Sequence, residues 1–135
     1  MKGIRFRFLP GFYIFLATAI IIIPVKWVIA WLVAALVHEL FHIVCLLLFG
    51  FKITHIEFDF GGASIHTERL SGIAMALCAL SGPAGSALLL LLTRVAPRVA
   101  ICAAIQFAYN LLPVYPLDGG RALRGLSEHL FRHDN

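Results

Sequence analysis

Three residues inside a long apolar run are the ones able to do chemistry: His38, Glu39 and His42, in the order His-Glu-Leu-Phe-His. On a helix, residues four apart lie about 40° from each other and one turn along the axis. Both imidazoles can therefore reach one ion. Two nitrogen donors, a third protein ligand and an open position for water suit Zn2+, one per chain. Glu39 is displaced around the helix but adjacent to His38, where it can take a proton from a water attacking a carbonyl. The same carboxylate can return that proton to the leaving amine. The pattern points to hydrolysis of a peptide bond.

The surroundings of this motif are unusual. Of 135 residues, 61% are hydrophobic and 13% charged, with a mean hydropathy of +0.92. Soluble domains run at about 45–50% apolar and about 25% charged. The composition excludes a disordered chain and argues against a water-soluble globule. Three cysteines (Cys45, Cys78 and Cys102), none in a CxxC pair, offer no disulfide framework. The formal charge of +4 comes from basic residues set between apolar blocks, which suits membrane orientation and not nucleic acid. A lipid bilayer is the expected solvent. His38 is the twelfth of 23 residues in its apolar block, so the motif sits near mid-depth. Ionisable residues there cost roughly 2.5–3.5 kcal/mol on insertion scales and mark function. A bound ion would satisfy all three. Interhelical hydrogen bonding of the histidines is the plainer alternative.

The elements that must carry the motif follow from hydropathy. The reading is an all-α polytopic membrane protein, a single intramembrane domain over residues 1–135. Four transmembrane helices are expected at roughly 8–23, 27–49, 72–93 and 99–117. Pro24-Val25-Lys26 is the expected turn between the first two. The start also has features of a signal peptide, with Lys2, Arg5 and Arg7 ahead of an apolar run and Ala17-Thr18-Ala19 in a small-x-small pattern. Cleavage would leave an apolar new terminus, so an uncleaved anchor helix is preferred. Placing both termini in the cytoplasm puts eight basic residues inside (Lys2, Arg5, Arg7, Lys52, Arg69, Arg121, Arg124 and Arg132) against three outside (Lys26, Arg94 and Arg98). The expected location is an integral one, N-in and C-in, in a bacterial plasma membrane.

Between the second and third spans, Ile56, Phe58 and Phe60 alternate with Glu57 and Asp59. With Gly61-Gly62 as turn and residues 63–67 returning, this predicts a small β-hairpin. Its strand near Ile56–Phe60 could receive an unwound substrate by strand addition. His55 and His66 could face each other across it, as a second metal site or as two solvated loop histidines. Residues 121–135 form an amphipathic tail, expected on the inner leaflet unless it caps the core.

Spacing leaves the third ligand open. In Asn110-Leu-Leu-Pro-Val-Tyr-Pro-Leu-Asp118-Gly-Gly, two prolines and two glycines would break a simple helix. Such a break could bend Asp118 back to the histidines, or Asp118 could cap a helix at the surface. Asn110 could bind a substrate peptide, hold a developing oxyanion or make an interhelical hydrogen bond. Cys45, seven residues after His38, is a second-choice ligand or a small hydrophobe. Gly82-Pro83-Ala84-Gly85-Ser86 could allow a kink or close helix packing.

Taken together, HExxH in one span and NxxPxxPLDGG in a later one resemble the site-2 proteases, the intramembrane zinc metalloproteases. The compact Asn110–Gly120 segment is most similar to the stage IV sporulation FB-type branch. The resemblance covers Trp27 to about Gly120. It implies His38, His42 and Asp118 as zinc ligands, Glu39 as general base and Asn110 as a substrate-positioning or oxyanion residue. It also implies a three-span catalytic core, here preceded by one extra helix, and cleavage of a membrane-protein substrate, often in regulated intramembrane proteolysis. One departure stands out. Many relatives carry GPxxN, whereas Gly82-Pro83-Ala84-Gly85 leads here to Ser86, a substrate-binding candidate without the amide's paired donor and acceptor. A regulatory membrane partner would supply control. Rival readings are a family-like protein that binds membrane substrates without cutting, and a metal transporter or haem-binding protein. Transport calls for ionisable residues along several spans, and spans one and three carry none.

Overall fold

The computed structural model describes residues 5–59, 62–67 and 70–131. Lys2, Phe60, Gly61, Arg69, Arg132 and the tail beyond Phe131 lie outside the described residues. The chain runs β1 (Arg5–Phe8), α1 (Pro10–Ile22), α2 (Val25–Leu48), β2 (Ile53–Asp59), β3 (Gly62–Thr67), α3 (Gly72–Leu89), α4 (Pro97–Asn110) and α5 (Asp118–Phe131). A short 3-10 turn, Leu90–Leu92, extends α3.

Two helices are long and apolar enough to cross a membrane, Val25–Leu48 and Gly72–Leu92. Pro10–Ile22 is apolar but shorter. Pro10 opens α1, where its missing N–H is no loss, and Ile23 and Pro24 separate α1 from α2. On α2, Ile29, Leu32, Val33, Leu36, Leu40, Val44 and Leu47 are all exposed. That face would be costly in water at about 25 cal/mol per Å², but suits hydrocarbon.

The opposite face of α2 is built from small residues. Ala30 and Ala34 pack with Leu89, Cys102 and Ala103, flanked by Trp27, Trp31, Val37, Leu90 and Val99. Small side chains let α2, α3 and α4 approach closely, and dispersion contacts gain accordingly. Gln106, buried on α4, donates to the Trp31 carbonyl at 3.2 Å.

Two expectations need correction. The hairpin is a three-stranded sheet in the order β1-β2-β3, with β1 parallel to β2 and β2 antiparallel to β3. Arg5-Phe6-Arg7-Phe8 alternates with the two-residue period of a strand. Stacking of Phe8 on Phe58 at 4.9 Å, with Phe12 beside them, ties the sheet to α1. Because β2 is the central strand, its backbone is paired on both sides and cannot accept an added strand. Second, α4 stops at Asn110 and not near residue 117, since Pro113 and Pro116 supply no backbone donors. Over its described part, the amphipathic tail packs against α3. α5 starts at Asp118 and buries Asp118, Gly119, Ala122 and Gly125. A Cβ on Gly125 would lie 2.6 Å from the Gly72 carbonyl oxygen and 2.8 Å from the Ala76 nitrogen, so glycine sets the closeness of α5 to α3.

Candidate metal centre

His38 and His42 project from one face of α2, as their spacing requires, towards α3 and the first turn of α5. His38 Nε2 lies 3.0 Å from Asp118 Oδ2, and His42 Nε2 lies 3.2 Å from the same oxygen. The two Nε2 atoms are 3.2 Å apart. His38 and Asp118 are buried, with 4% and 7% of their surface exposed. Two residues one turn apart and a third eighty positions later thus present three ligand atoms to one point.

Asp118 reaches that point because the chain between α4 and α5 folds back tightly. The loop packs its backbone against the first turn of α5. A Cβ on Gly119 would collide with the Leu111 carbonyl, and one on Gly120 would come within 2.5 Å of the Tyr115 nitrogen. The two glycines after Asp118 therefore make room for the loop that delivers it.

α3 forms the other wall. A Cβ on Gly82 would collide with His42 Nε2 and lie 2.7 Å from His38 Nε2. One on Gly85 would be 2.6 Å from the Phe41 ring. Pro83 inside α3 leaves the Ala79 carbonyl without its helical donor. Ser86, fully buried, places Oγ 2.9 Å from His38 Nδ1. His42 Nδ1 lies 2.7 Å from the Cys78 carbonyl oxygen, which also accepts from Ser81 Oγ at 2.7 Å. Each imidazole is thus held at its far nitrogen while Nε2 faces inward, the arrangement expected around a metal-ligating histidine.

The donor chemistry supports a cation at this point. A carbonyl only accepts, so the proton of neutral His42 sits on Nδ1, and Nε2 turns a lone pair towards Asp118 Oδ2 and His38 Nε2. A lone pair facing a carboxylate oxygen at 3.2 Å is repulsive unless positive charge lies between them. Ligands about 2.0–2.1 Å from a tetrahedral ion stand about 3.3–3.4 Å apart, close to the observed edges. His38, His42 and Asp118 therefore fit a divalent metal ion.

The other sequence candidates sit around this triangle. Glu39, half-buried on α2, is within electrostatic reach of His38, His42, Asp118 and Arg121. Asn110 is half-buried at the last position of α4, and among the described residues no hydrogen bond joins it to the cluster. Cys45, a half-buried free cysteine on α2, stands outside the ligand group. Sequence reasoning did not single out Ser81, the Cys78 carbonyl or the wall made by Gly82. The Gly-Pro-Ala-Gly-Ser run was the available signal, one turn of α3 where the side chain is repeatedly missing or small.

A helical fold with a lipid-suited surface and a buried His-His-Asp group defines a class, the membrane metalloproteases. The Peptidase M50B-like family model matches residues 12–119, and the chain belongs to that family. Its fold is similar to that of the site-2 protease from Methanocaldococcus jannaschii, with a TM-score of 0.77 and 22% identity over 94% of this chain and 68% of that one. No curated protein sequence matches. Family and apolar helices together support a place in a membrane.

Proposed function

We propose that the chain is a zinc-dependent intramembrane endopeptidase that hydrolyses a peptide bond of a membrane protein. The observation that carries this reading is the convergence of His38 Nε2, His42 Nε2 and Asp118 Oδ2 at 3.0–3.2 Å in a buried site beside Glu39. Zinc, when bound, would polarise the scissile carbonyl and acidify a water. Glu39 takes the proton which that water gives up as its oxygen bonds to the carbonyl carbon. It then delivers the proton to the amine nitrogen as the C–N bond breaks. Ser86 acts as a positioning residue that holds His38, a role different from the substrate contact its place in the motif suggests. Asn110 would donate to the substrate backbone or to the oxygen that gains charge.

The four-span topology belongs to this proposal, with N-in, C-in orientation in a bacterial plasma membrane. α4 has 14 residues, about 21 Å, against about 30 Å of hydrocarbon, so the loop 111–117 would carry the rest of the crossing. The Asn110–Gly120 segment favours the stage IV sporulation FB-type branch, and with it regulated intramembrane proteolysis under a membrane partner.

The test separates metal from chemistry. In detergent, Glu39→Gln should keep one zinc per chain yet lose about 10²–10⁴-fold in cleavage of a co-expressed membrane substrate. Parental cleavage by Glu39→Gln would refute the mechanism. Unchanged zinc in His42→Ala would refute the ligand assignment.

A further inference from the structure

A second group of ligating side chains lies on the sheet. His55 and Glu57 are two apart on β2, so the strand period puts both on one face. His66 on β3 is the register partner of His55. Glu57 Oε1 is 3.5 Å from His55 Nε2, and Glu57 Oε2 is 3.2 Å from His66 Nε2. The imidazoles stack at 4.1 Å with 9° between planes, and a ligand atom from each of the three residues falls within 4.8 Å of the others. A strand pair offering two donors at i and i+2 and a third directly across is a compact chelating surface that needs no help from loops.

The hydrogen bonds around it set the donor directions. Thr54 Oγ1 donates its hydroxyl proton to the His66 carbonyl at 2.9 Å. Towards His55 Nδ1, 3.2 Å away, it can therefore only accept, which puts the proton of neutral His55 on Nδ1 and the lone pair on Nε2. A register irregularity between Ile53 and His55 lets Thr54 reach in this way. That lone pair, 3.5 Å from Glu57 Oε1, is available to a cation. Arg7 Nη1, 3.0 Å from Glu57 Oε1, holds one carboxylate oxygen and leaves Oε2 for another partner. With His55, Glu57 and His66 side chains 27%, 21% and 46% exposed, an ion can enter from solvent.

We propose that His55, Glu57 and His66 form a second divalent-cation site, independent of the His38–His42–Asp118 group and of the protease reading. Two imidazole nitrogens and one carboxylate oxygen select a borderline ion of the Zn2+ or Ni2+ class, with water completing its shell. Binding turns the parallel rings apart so that their Nε2 lone pairs converge, and the half-exposed His66 has room to turn. The ion cross-links β2 to β3 and, through Glu57 and Arg7, braces β1. Arg5 and Arg7, register partners of His55 and Glu57, add positive charge nearby. The site therefore fills at higher metal concentration than the buried one.

Equilibrium dialysis of the full chain in detergent against Zn2+, without a polyhistidine tag, tests this. His66→Ala should bind one equivalent fewer than the parent. Thr54→Val, which keeps all three ligands but frees the His55 ring, should weaken that equivalent by about 10–100-fold. Zn2+ should also shift the ring resonances of His55 and His66 in the NMR spectrum of the parent, a readout that needs no variant. Equal Zn2+ stoichiometry in parent and His66→Ala, or His55 and His66 resonances that ignore Zn2+, would overturn the site.

Discussion

Gly82→Ala is the sharpest probe of how the buried centre is built. The added methyl would sit 2.5 Å from His42 Cε1 and 2.7 Å from His38 Nε2, and closer still to His42 Nε2. Favourable carbon contacts begin at about 3.5 Å, so rings and α3 must separate by about 1 Å. The rings have little freedom to yield, because Ser86 and the Cys78 carbonyl hold their Nδ1 atoms at 2.9 and 2.7 Å. A shift of that size would open the 3.0–3.2 Å ligand triangle to about 4 Å, beyond the edge of a tetrahedral zinc site. Overpacking of this kind costs about 1–3 kcal/mol. At about 1.4 kcal/mol per tenfold, that is roughly 5–150-fold in metal affinity if the ligands yield and the fold does not. Metal content of the purified variant, a zinc competition titration and cleavage of a membrane substrate read the effect. Ala84→Val, which adds two carbons at an exposed α3 position, is the control and should leave all three readouts near the parent. Parental zinc affinity in Gly82→Ala would refute the placement of the histidines against α3.

Two further outcomes follow from the same geometry. Ser86→Ala removes the partner of His38 Nδ1 and should lower zinc affinity by about 10–100-fold, measured by competition with a chelator, with the chain still folded by circular dichroism. Gly119→Ala should drive the Leu111–Leu117 loop away from α5 and draw Asp118 out of the site. Zinc content and activity should then fall together, and retention of both would show that the loop does not deliver the aspartate.

The parts of this protein legible in the sequence are those governed by period and solvent. The 3.6-residue helical repeat is enough to put His38 and His42 on one face, and the hydropathy of residues 27–49 and 72–93 is enough to mark two helices that suit lipid. Alternation gave away β2 and β3. The same alternation in Arg5–Phe8 was hidden by its resemblance to a basic leader, because four residues carry two patterns equally well. Residues 111–117 were legible as a break, since proline removes donors wherever it stands, but not as a fold-back.

Local composition alone therefore decided that the chain prefers lipid, that α2 carries two imidazoles one turn apart, and that the chain after Asn110 cannot stay helical. Tertiary structure decided the rest. Only packing could bring Asp118 to the histidines, because a carboxylate eighty residues from His38 has no sequence period relating the two. Only packing could turn Gly82, Gly119 and Gly120 from generic small residues into the space that the rings and the loop occupy. The physical reason is that a side chain's own preferences act over one or two turns, whereas a site is made where separate elements exclude one another's atoms.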